Sequence, residues 1–242
     1  MGVEKINKLK KELVQKEKEL KILFRVIRDI SSLELEKVLK SIVGIVSQIT
    51  RADSCFVYVL DKSKQELVLR ASKNPHANLL KRIKMKMSEG ITGWVAKEKK
   101  PVVIAQDASK DTRFKYFKSL PEDRYQAFLS IPIVNKNGVV GVINVQHKKI
   151  HTYLKDEVEL LVTIGRIVGG AVENARLIEE SLELKDALET RKVLDKAKGI
   201  LMKKLNLNED EAYTKIRTQS MHLGKSIKEI SEAITLSEKL LG

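Results

Sequence analysis

The stretch Ala127-Phe-Leu-Ser-Ile-Pro-Ile-Val-Asn-Lys-Asn-Gly-Val-Val-Gly-Val-Ile-Asn-Val-Gln-His147 decides the fold class. Two apolar runs, Ala127–Val134 and Val139–His147, flank Asn137-Gly138. That dipeptide suits a two-residue hairpin turn, in which both turn positions take positive φ. The reading predicts two long adjacent antiparallel strands.

Strand signals continue upstream. Cys55–Leu60 is a short apolar run, and Glu66–Ala71 alternates with Leu67, Leu69 and Ala71 on one side. A turn at Asp61–Lys64 joins them as a second hairpin. Ile83, Met85 and Met87 alternate with lysines, Gly90–Lys97 reads as a short helix, and Pro101–Ala105 as a strand. The four prolines, Pro75, Pro101, Pro121 and Pro132, all fall in this window. The Pro-free chain on either side predicts long helices.

Those helices carry their own patterns. Residues 36–50 present a broad apolar face of Val38, Leu39, Ile42, Val43, Ile45 and Val46. Before them lies a seven-residue repeat, with Ile6, Leu13, Leu20 and Ile27 in one row and Leu9, Lys16, Leu23 and Ile30 in the other. This is a coiled-coil seam with one polar defect, Lys16; its alternative is a single amphipathic helix packed on its own domain. Thr152 is a candidate cap for a helix running to Leu205, with Asp156 and Glu157 near its positive end. Its apolar stripe, Leu161, Ile164, Val168, Ala171, Ala175, Ile178 and Leu182, is again a heptad leading out of the domain. Gly165, Gly169 and Gly170 weaken that helix, which suggests close approach of a neighbour. Beyond Leu205, Asn208 with Glu211 and Ser226 with Glu229 are two capping boxes, and Leu223-Gly224 is a glycine stop. The fold class is α+β: an N-terminal coiled-coil helix (1–34), an antiparallel-sheet domain with flanking helices (35–180), and a connecting helix with a C-terminal three-helix piece (181–242).

The chain has 242 residues and a formal net charge of +14. Such a charge fits contact with polyanions, and Lys-rich solvated helix faces produce it equally. The surplus divides as +3 over 1–34, +8 over 35–184 and +3 over 185–242, so position must decide. No apolar run reaches about 18 residues, which predicts no membrane span, and the start does not read as a secretory signal. The lone cysteine, Cys55, excludes an internal disulfide and predicts a reducing, cytoplasmic setting. His76, His147, His151 and His222 are scattered without metal-ligand spacing, so no metal and no cofactor is expected. No triad, acid–base pair or phosphate-binding glycine loop stands out, which argues against an enzyme.

Several segments resemble a known sensor module, the GAF domain. They are Glu89-Gly90-Ile91-Thr92-Gly93-Trp94-Val95-Ala96, Pro101-Val102-Val103-Ile104 with Asp107 and Asp111-Thr112-Arg113-Phe114, Ser130-Ile131-Pro132-Ile133 with Gly138–Asn144, and Ala171-Val172-Glu173-Asn174-Ala175-Arg176-Leu177. The resemblance covers about residues 20–180. It implies a six-stranded antiparallel sheet with helices on one side and a ligand cleft on the other. The cyclic-nucleotide-binding set Asn-Lys-Phe-Asp-Glu is missing, and one cysteine cannot run the chemistry of GAF-like methionine-sulfoxide reductases. The small-molecule ligand, if there is one, stays unassigned. Tyr58, Trp94, Arg113, Phe114, Ser130 and Asn144 are the pocket candidates, each with a core-supporting role as its alternative.

Residues 188–236 resemble an ANTAR domain. The residues that carry this are Arg191, Ala197-Lys198-Gly199-Ile200-Leu201-Met202, Ala212-Tyr213, Arg217 and Ser220-Met221, with Ser220 standing where the family has Ala. The resemblance implies dimeric binding to paired RNA hairpins in nascent transcripts, which prevents termination. The residues themselves agree with a basic surface. At about 100° per residue, Val193, Leu194, Ala197, Ile200 and Leu201 share one arc, flanked by Lys192, Lys196 and Lys203 on one side and Arg191 and Lys198 on the other. Within 191–204 only Asp195 opposes six basic residues. Tyr213, the one aromatic residue of 185–242, could stack on an unpaired base, and Arg217 on a base or phosphate.

The expectation is therefore a homodimeric, signal-responsive RNA-binding antiterminator with no membrane partner. Two alternatives stay open: a DNA-binding regulator and a sensor whose output is a protein partner. For the first, Ser226–Ile234 resembles the start of a helix-turn-helix, but eight residues after Ile234 are too few for a recognition helix.

Overall fold

In the computed structural model, residues 2–74, 78–117 and 119–241 are described. Pro75 and His76, named among the prolines and histidines, lie outside them. The chain divides into two compact units, Met1–Ile178 and Glu179–Gly242.

The first unit is built on a six-stranded antiparallel sheet in the order β3-β2-β1-β6-β5-β4. The strands are β1 (Ser54–Asp61), β2 (Glu66–Ser72), β3 (Lys84–Lys86), β4 (Val102–Ile104), β5 (Ala127–Asn135) and β6 (Gly138–His147). Alternate residues of the central strands feed two cores. Cys55, Val57, Val59, Leu129, Ile131 and Ile143 pack with the helices α1 (Gly2–Asp29), α2 (Leu35–Thr50) and the first part of α4 (Lys155–Leu205). Phe56, Tyr58, Leu60, Phe128 and Val142 face the opposite layer, formed around the short helix α3 (Gly90–Glu98) and its loops. Both faces of β1 are covered, so its sequence reads as a continuous apolar run; β2 is half-covered and alternates.

The β5–β6 hairpin differs from the predicted turn. Asn135 pairs with Gly138, so the turn residues are Lys136 and Asn137. Positive φ occurs at Gly138 (+124°), which already belongs to β6. The Asn135 side chain accepts the Asn137 N–H at 2.8 Å, stabilising the shifted turn. A one-residue irregularity beside Ile133 then restores the register. An Asn137-Gly138 turn would have paired Ile133 with Val142, which lie in opposite cores.

The glycines of α4 separate into two kinds. A Cβ on Gly165 would meet Pro132 O at 2.5 Å, and one on Gly169 would meet Val134 O at 1.9 Å; Gly170 has nothing within 4 Å. Close approach to β5 thus explains Gly165 and Gly169 but not Gly170. The helix starts at Lys155, so Thr152 is not its cap; Val158 N donates to Leu154 O instead. Leu161, Ile164, Val168 and Ala175 are buried in the core of the unit rather than in an exposed seam, while Leu182 is 63% exposed.

Helix α1 has two apolar faces. Val26 and Ile30 are buried with Ile22 and Leu23 against the unit's core. Ile6, Leu9, Leu13, Leu20, Phe24 and Ile27 form an exposed stripe.

The second unit contains the end of α4 with α5 (Glu209–Leu223) and α6 (Ile227–Leu241), packed around Ala197, Ile216 and Ile230. Both predicted capping boxes form. Asn208 and Glu211 exchange 2.9 Å bonds, and Ser226 and Glu229 close a second box. Gly224 ends α5 at φ +62°, where a side chain would be strained.

Candidate ligand cavity and nucleic-acid interface

On the side of the sheet away from α2 and α4, β1, β5 and β6 meet the start of α3 and the loop after β4. A small, partly open cavity of about 20 Å³ remains there, room for one water. Tyr58, Phe114 and Asn144 line it, with Phe56, Phe117 and Gln146. Aromatic side chains fill the site, so an organic ligand would require Phe114 and Phe117 to move.

A buried chain of polar groups borders the cavity. Ser130 Oγ donates to Asn144 Oδ1 at 2.8 Å, and Asn144 Nδ2 donates to Thr92 Oγ1 at 2.7 Å. Ser130 and Asn144 are cross-strand partners, and Thr92 sits in the first turn of α3, so the chain ties helix to sheet. Nothing in the sequence pattern around Thr92 distinguishes it from its neighbours; what marks it is its position over the sheet. Trp94 and Arg113 stand apart from the cavity. The Arg113 guanidinium lies 4.7 Å from the Trp94 ring centre and is held by both oxygens of Asp111 at 2.9 and 2.7 Å. That pairing holds the Asp111 carboxyl below its ordinary range. Beside the cavity, Lys115 pairs with Glu89 at 2.6 Å and lowers the Glu89 carboxyl likewise. Cys55 is buried, and desolvation pushes its thiol up to about 12, an inert core residue.

Two scattered histidines come together. His147 and His151 stack at 3.8 Å, with His147 Nδ1 at 3.0 Å from the Tyr153 hydroxyl and Nε2 at 3.1 Å from Thr50 O. Among the described residues no group of three or more His, Cys, Asp or Glu is arranged for a metal ion.

In the second unit the predicted contact residues fall on two sides. Lys192, Lys196 and Lys203 are exposed on one side of α4, and among the described residues none of them makes a salt bridge. Lys198 lies on the other side with its ammonium engaged by Glu209 at 2.6 Å and Asp195 at 2.9 Å. These partners raise its pKa, the Glu209 hydrogen bond most. It ties α4 to the first turn of α5. Arg191 reaches the same Asp195 at 3.9 Å. From Glu209, Tyr213 and Arg217 follow at four-residue steps, so they form one row on α5 leading away from the Lys198 pair. Tyr213 is 38% exposed and Met221, next in the row, 66%. The Ser220 hydroxyl donates to Lys225 O at 2.5 Å, closing the turn between α5 and α6, which an Ala at this position could not do.

Residues 32–173 match the GAF domain. The chain belongs to the GAF-domain family. Residues 182–234 match the ANTAR domain, giving the order GAF then ANTAR. A curated relative, the phosphoenolpyruvate-dependent phosphotransferase system of Escherichia coli, is 28% identical over 123 residues, which is 51% of this chain and 16% of the relative. The chain therefore spans about one sixth of that protein's length, and the likeness falls in the GAF part. Among solved structures, the GAF domain of an Acinetobacter phosphoenolpyruvate-protein phosphotransferase superposes with a TM-score of 0.59 at 28% identity, covering 67% of this chain and 97% of that one. The corresponding domain from Coxiella burnetii gives 0.61 at 26% identity, covering 67% and 96%. GAF is a sensor domain and ANTAR an RNA-binding antitermination domain; neither is catalytic. Together they make a signal-regulated regulator. Among the described residues no helix is long and apolar enough to cross a membrane.

Proposed function

We propose that this protein is a homodimeric cytoplasmic antiterminator, not an enzyme, that binds hairpin loops in nascent transcripts. The match of residues 182–234 to the ANTAR domain carries this reading. Lys192, Lys196 and Lys203 offer an unneutralised cationic side for the phosphate backbone. Tyr213 supplies a stacking surface and Arg217 a base or phosphate contact, with Arg191 and Lys198 at the flank. The exposed stripe of α1 supports pairing with a second α1 in parallel. Tyr58, Phe114 and Asn144 would meet a small molecule entering the GAF cavity, with Ser130 acting through Asn144. Trp94 and Arg113 would shape the adjoining loop. Because α4 runs without a break from Lys155 to Leu205, a signal in the GAF domain has a continuous helix to travel along.

The test is Lys192→Glu with Lys196→Glu and Lys203→Glu in the full chain, assayed by gel shift on a two-hairpin RNA. Binding should be lost with helix content unchanged. With substitution to Gln instead, the slope of log affinity against log salt should fall by about 2 to 3, one unit or slightly less per lost phosphate contact. Unchanged affinity refutes the assignment. Sequencing of co-purified RNA should recover leader-region double hairpins, and sedimentation should give twice the monomer mass.

A further inference from the structure

The largest share of the chain's positive charge lies in the sensor unit, outside the ANTAR match. Part of it converges. A hollow of about 390 Å³ is bounded by the β5–β6 turn, the C-terminal end of α3 and the first turns of α4. Lys99, Lys136 and Arg166 line it with Asn135 and Asn137, and among the described residues no carboxylate does. All three cations are exposed, and among the described residues none makes a salt bridge. Three like charges round one concavity repel each other, and the concave wall focuses their field.

The fold builds this arrangement from local rules. Gly165 and Gly169 let α4 lie against the backbone of β5. Arg166, between them in sequence, is thereby placed beside the end of β5. The Asn135–Asn137 bond sets the turn that carries Lys136. Lys99 caps α3 at φ +57°, with its N–H on Val95 O.

We propose that this hollow binds a small soluble molecule bearing a phosphate group. A guanidinium can take two phosphate oxygens at once, the ammonium groups supply point charge, and the asparagine amides add neutral donors. Pro132, Val134 and Val162 give an apolar floor for an organic remainder. The volume lies within the range of small-molecule sites, roughly 300–1,000 Å³. A dianion suits three convergent cations better than a single carboxylate. A concave wall suits a compact ligand better than an extended polymer backbone. The site lies on α4, the helix that also carries Lys192, Lys196 and Lys203, and it does not depend on RNA binding.

The experiment titrates the full chain with inorganic pyrophosphate at low salt by calorimetry. Wild type should show one saturable site. Lys99→Gln with Lys136→Gln and Arg166→Gln should weaken it by about tenfold or more, since charge-assisted bonds carry the recognition. Lys192→Gln with Lys196→Gln and Lys203→Gln should leave it unchanged. Absence of saturable binding to wild type, or equal affinity in the two triple variants and wild type, overturns the proposal. Two further arms separate other sources of phosphate. Phosphatidylglycerol vesicles should not be retained through these three residues; retention that needs them, without pyrophosphate binding, overturns the soluble class. Hairpin-RNA affinity should survive in the hollow variant, and its loss assigns the three cations to RNA instead. All three residues are exposed, so thermal melting of the variant should match wild type.

Discussion

Gly169→Ala and Gly170→Ala, one residue apart on α4, should shift stability in opposite directions. A Cβ on Gly169 would stand 1.9 Å from Val134 O and 2.5 Å from Val134 C. Restoring van der Waals separation needs about 1.5 Å of outward movement of the helix or strand. Leu161, Ile164, Val168 and Val172 are each 0 or 1% exposed, so they lose contact together as α4 lifts. Each such side chain contributes about 1.5–3 kcal/mol by burial, and a gap of 0.5–1 Å forfeits a quarter to a half of dispersion contact. The gross loss is then about 1.5–6 kcal/mol, offset by about 1 kcal/mol of better helix propensity. A net destabilisation of about 0.5–5 kcal/mol follows, a span that contains the roughly 1–3 kcal/mol typical of overpacked cores. Gly170 is open, so Gly170→Ala keeps only the propensity gain and should stabilise by about 0.5–1 kcal/mol. Trp94 is the sole tryptophan and lies in the sheet-bearing unit, so urea unfolding followed by its fluorescence reports on that unit alone. A Gly169→Ala variant as stable as wild type, or shifts of the same sign at both sites, refutes the close-approach account.

Thr92→Val removes the acceptor of Asn144 Nδ2 inside the buried chain and should cost about 1–3 kcal/mol in the same assay; a cost below about 0.5 kcal/mol would mean the amide finds another partner. Burial holds His147 below its ordinary value near 6.5, against the opposing pull of its bond to Thr50 O. The unfolded chain therefore takes up this proton first as pH falls, and the stability present above about pH 6.5 is lost on acidification through and below it. His147→Gln should flatten the fall in urea midpoint between about pH 7.5 and pH 5.5, and an unaltered fall rules out His147 as its source. Lys198→Gln, which also loses the Asp195 pair, should lower the melting temperature of the second unit at least as much as Glu209→Gln, and the two should combine less than additively, since both remove the Lys198–Glu209 bridge; full additivity would separate the two residues.

Periodicity made much of this architecture readable, because burial on one or both faces writes itself into alternation. Leu67, Leu69 and Ala71 named the inner face of β2, and both capping boxes of the C-terminal unit formed as their spacing required. What depended on exact register was less legible. Asn137-Gly138 is a strong turn signal, yet the Asn135 side chain and the tolerance of Gly138 for φ +124° moved the turn by one residue. The three α4 glycines are alike in sequence, and only the path of β5 distinguishes Gly169 from Gly170. The candidate sites divide in the same way. Tyr58 and Asn144 share a cavity because the strand pairing of β1 with β6 places them together, and the loop after β4 brings Phe114 to it. Trp94 and Arg113 made a separate stack, since Asp111, two residues before Arg113, captures its guanidinium. Lys198 looked like an exposed cation on the helical wheel. Its pairing with Glu209 arises from the return of α5, eleven residues on, which a single-helix projection does not contain.

Helix α4 also bears on why this chain should pair with a copy of itself. Leu161, Ile164, Val168, Val172 and Ala175 are buried in the sheet-bearing unit, and Ala197 is buried among α5 and α6. Between them, residues 181–189 are all exposed. Helices in proteins are stabilised chiefly by packing of an apolar face, and an isolated helical stretch of this length is marginal in water. Yet this stretch is not polar all round. Leu184 and Leu188, with Leu177 just before the stretch, are 64, 51 and 47% exposed, at spacings of seven and four from Leu177 onward, which is the spacing of a coiled-coil seam. Solvating them forfeits roughly 25 cal/mol for each Å² of apolar surface left in water. A partner helix bearing the same seam would recover that area, and the outward stripe of α1 presents the same problem with the same solution. The proposed dimer would cover the apolar surface that α1 and this part of α4 leave exposed.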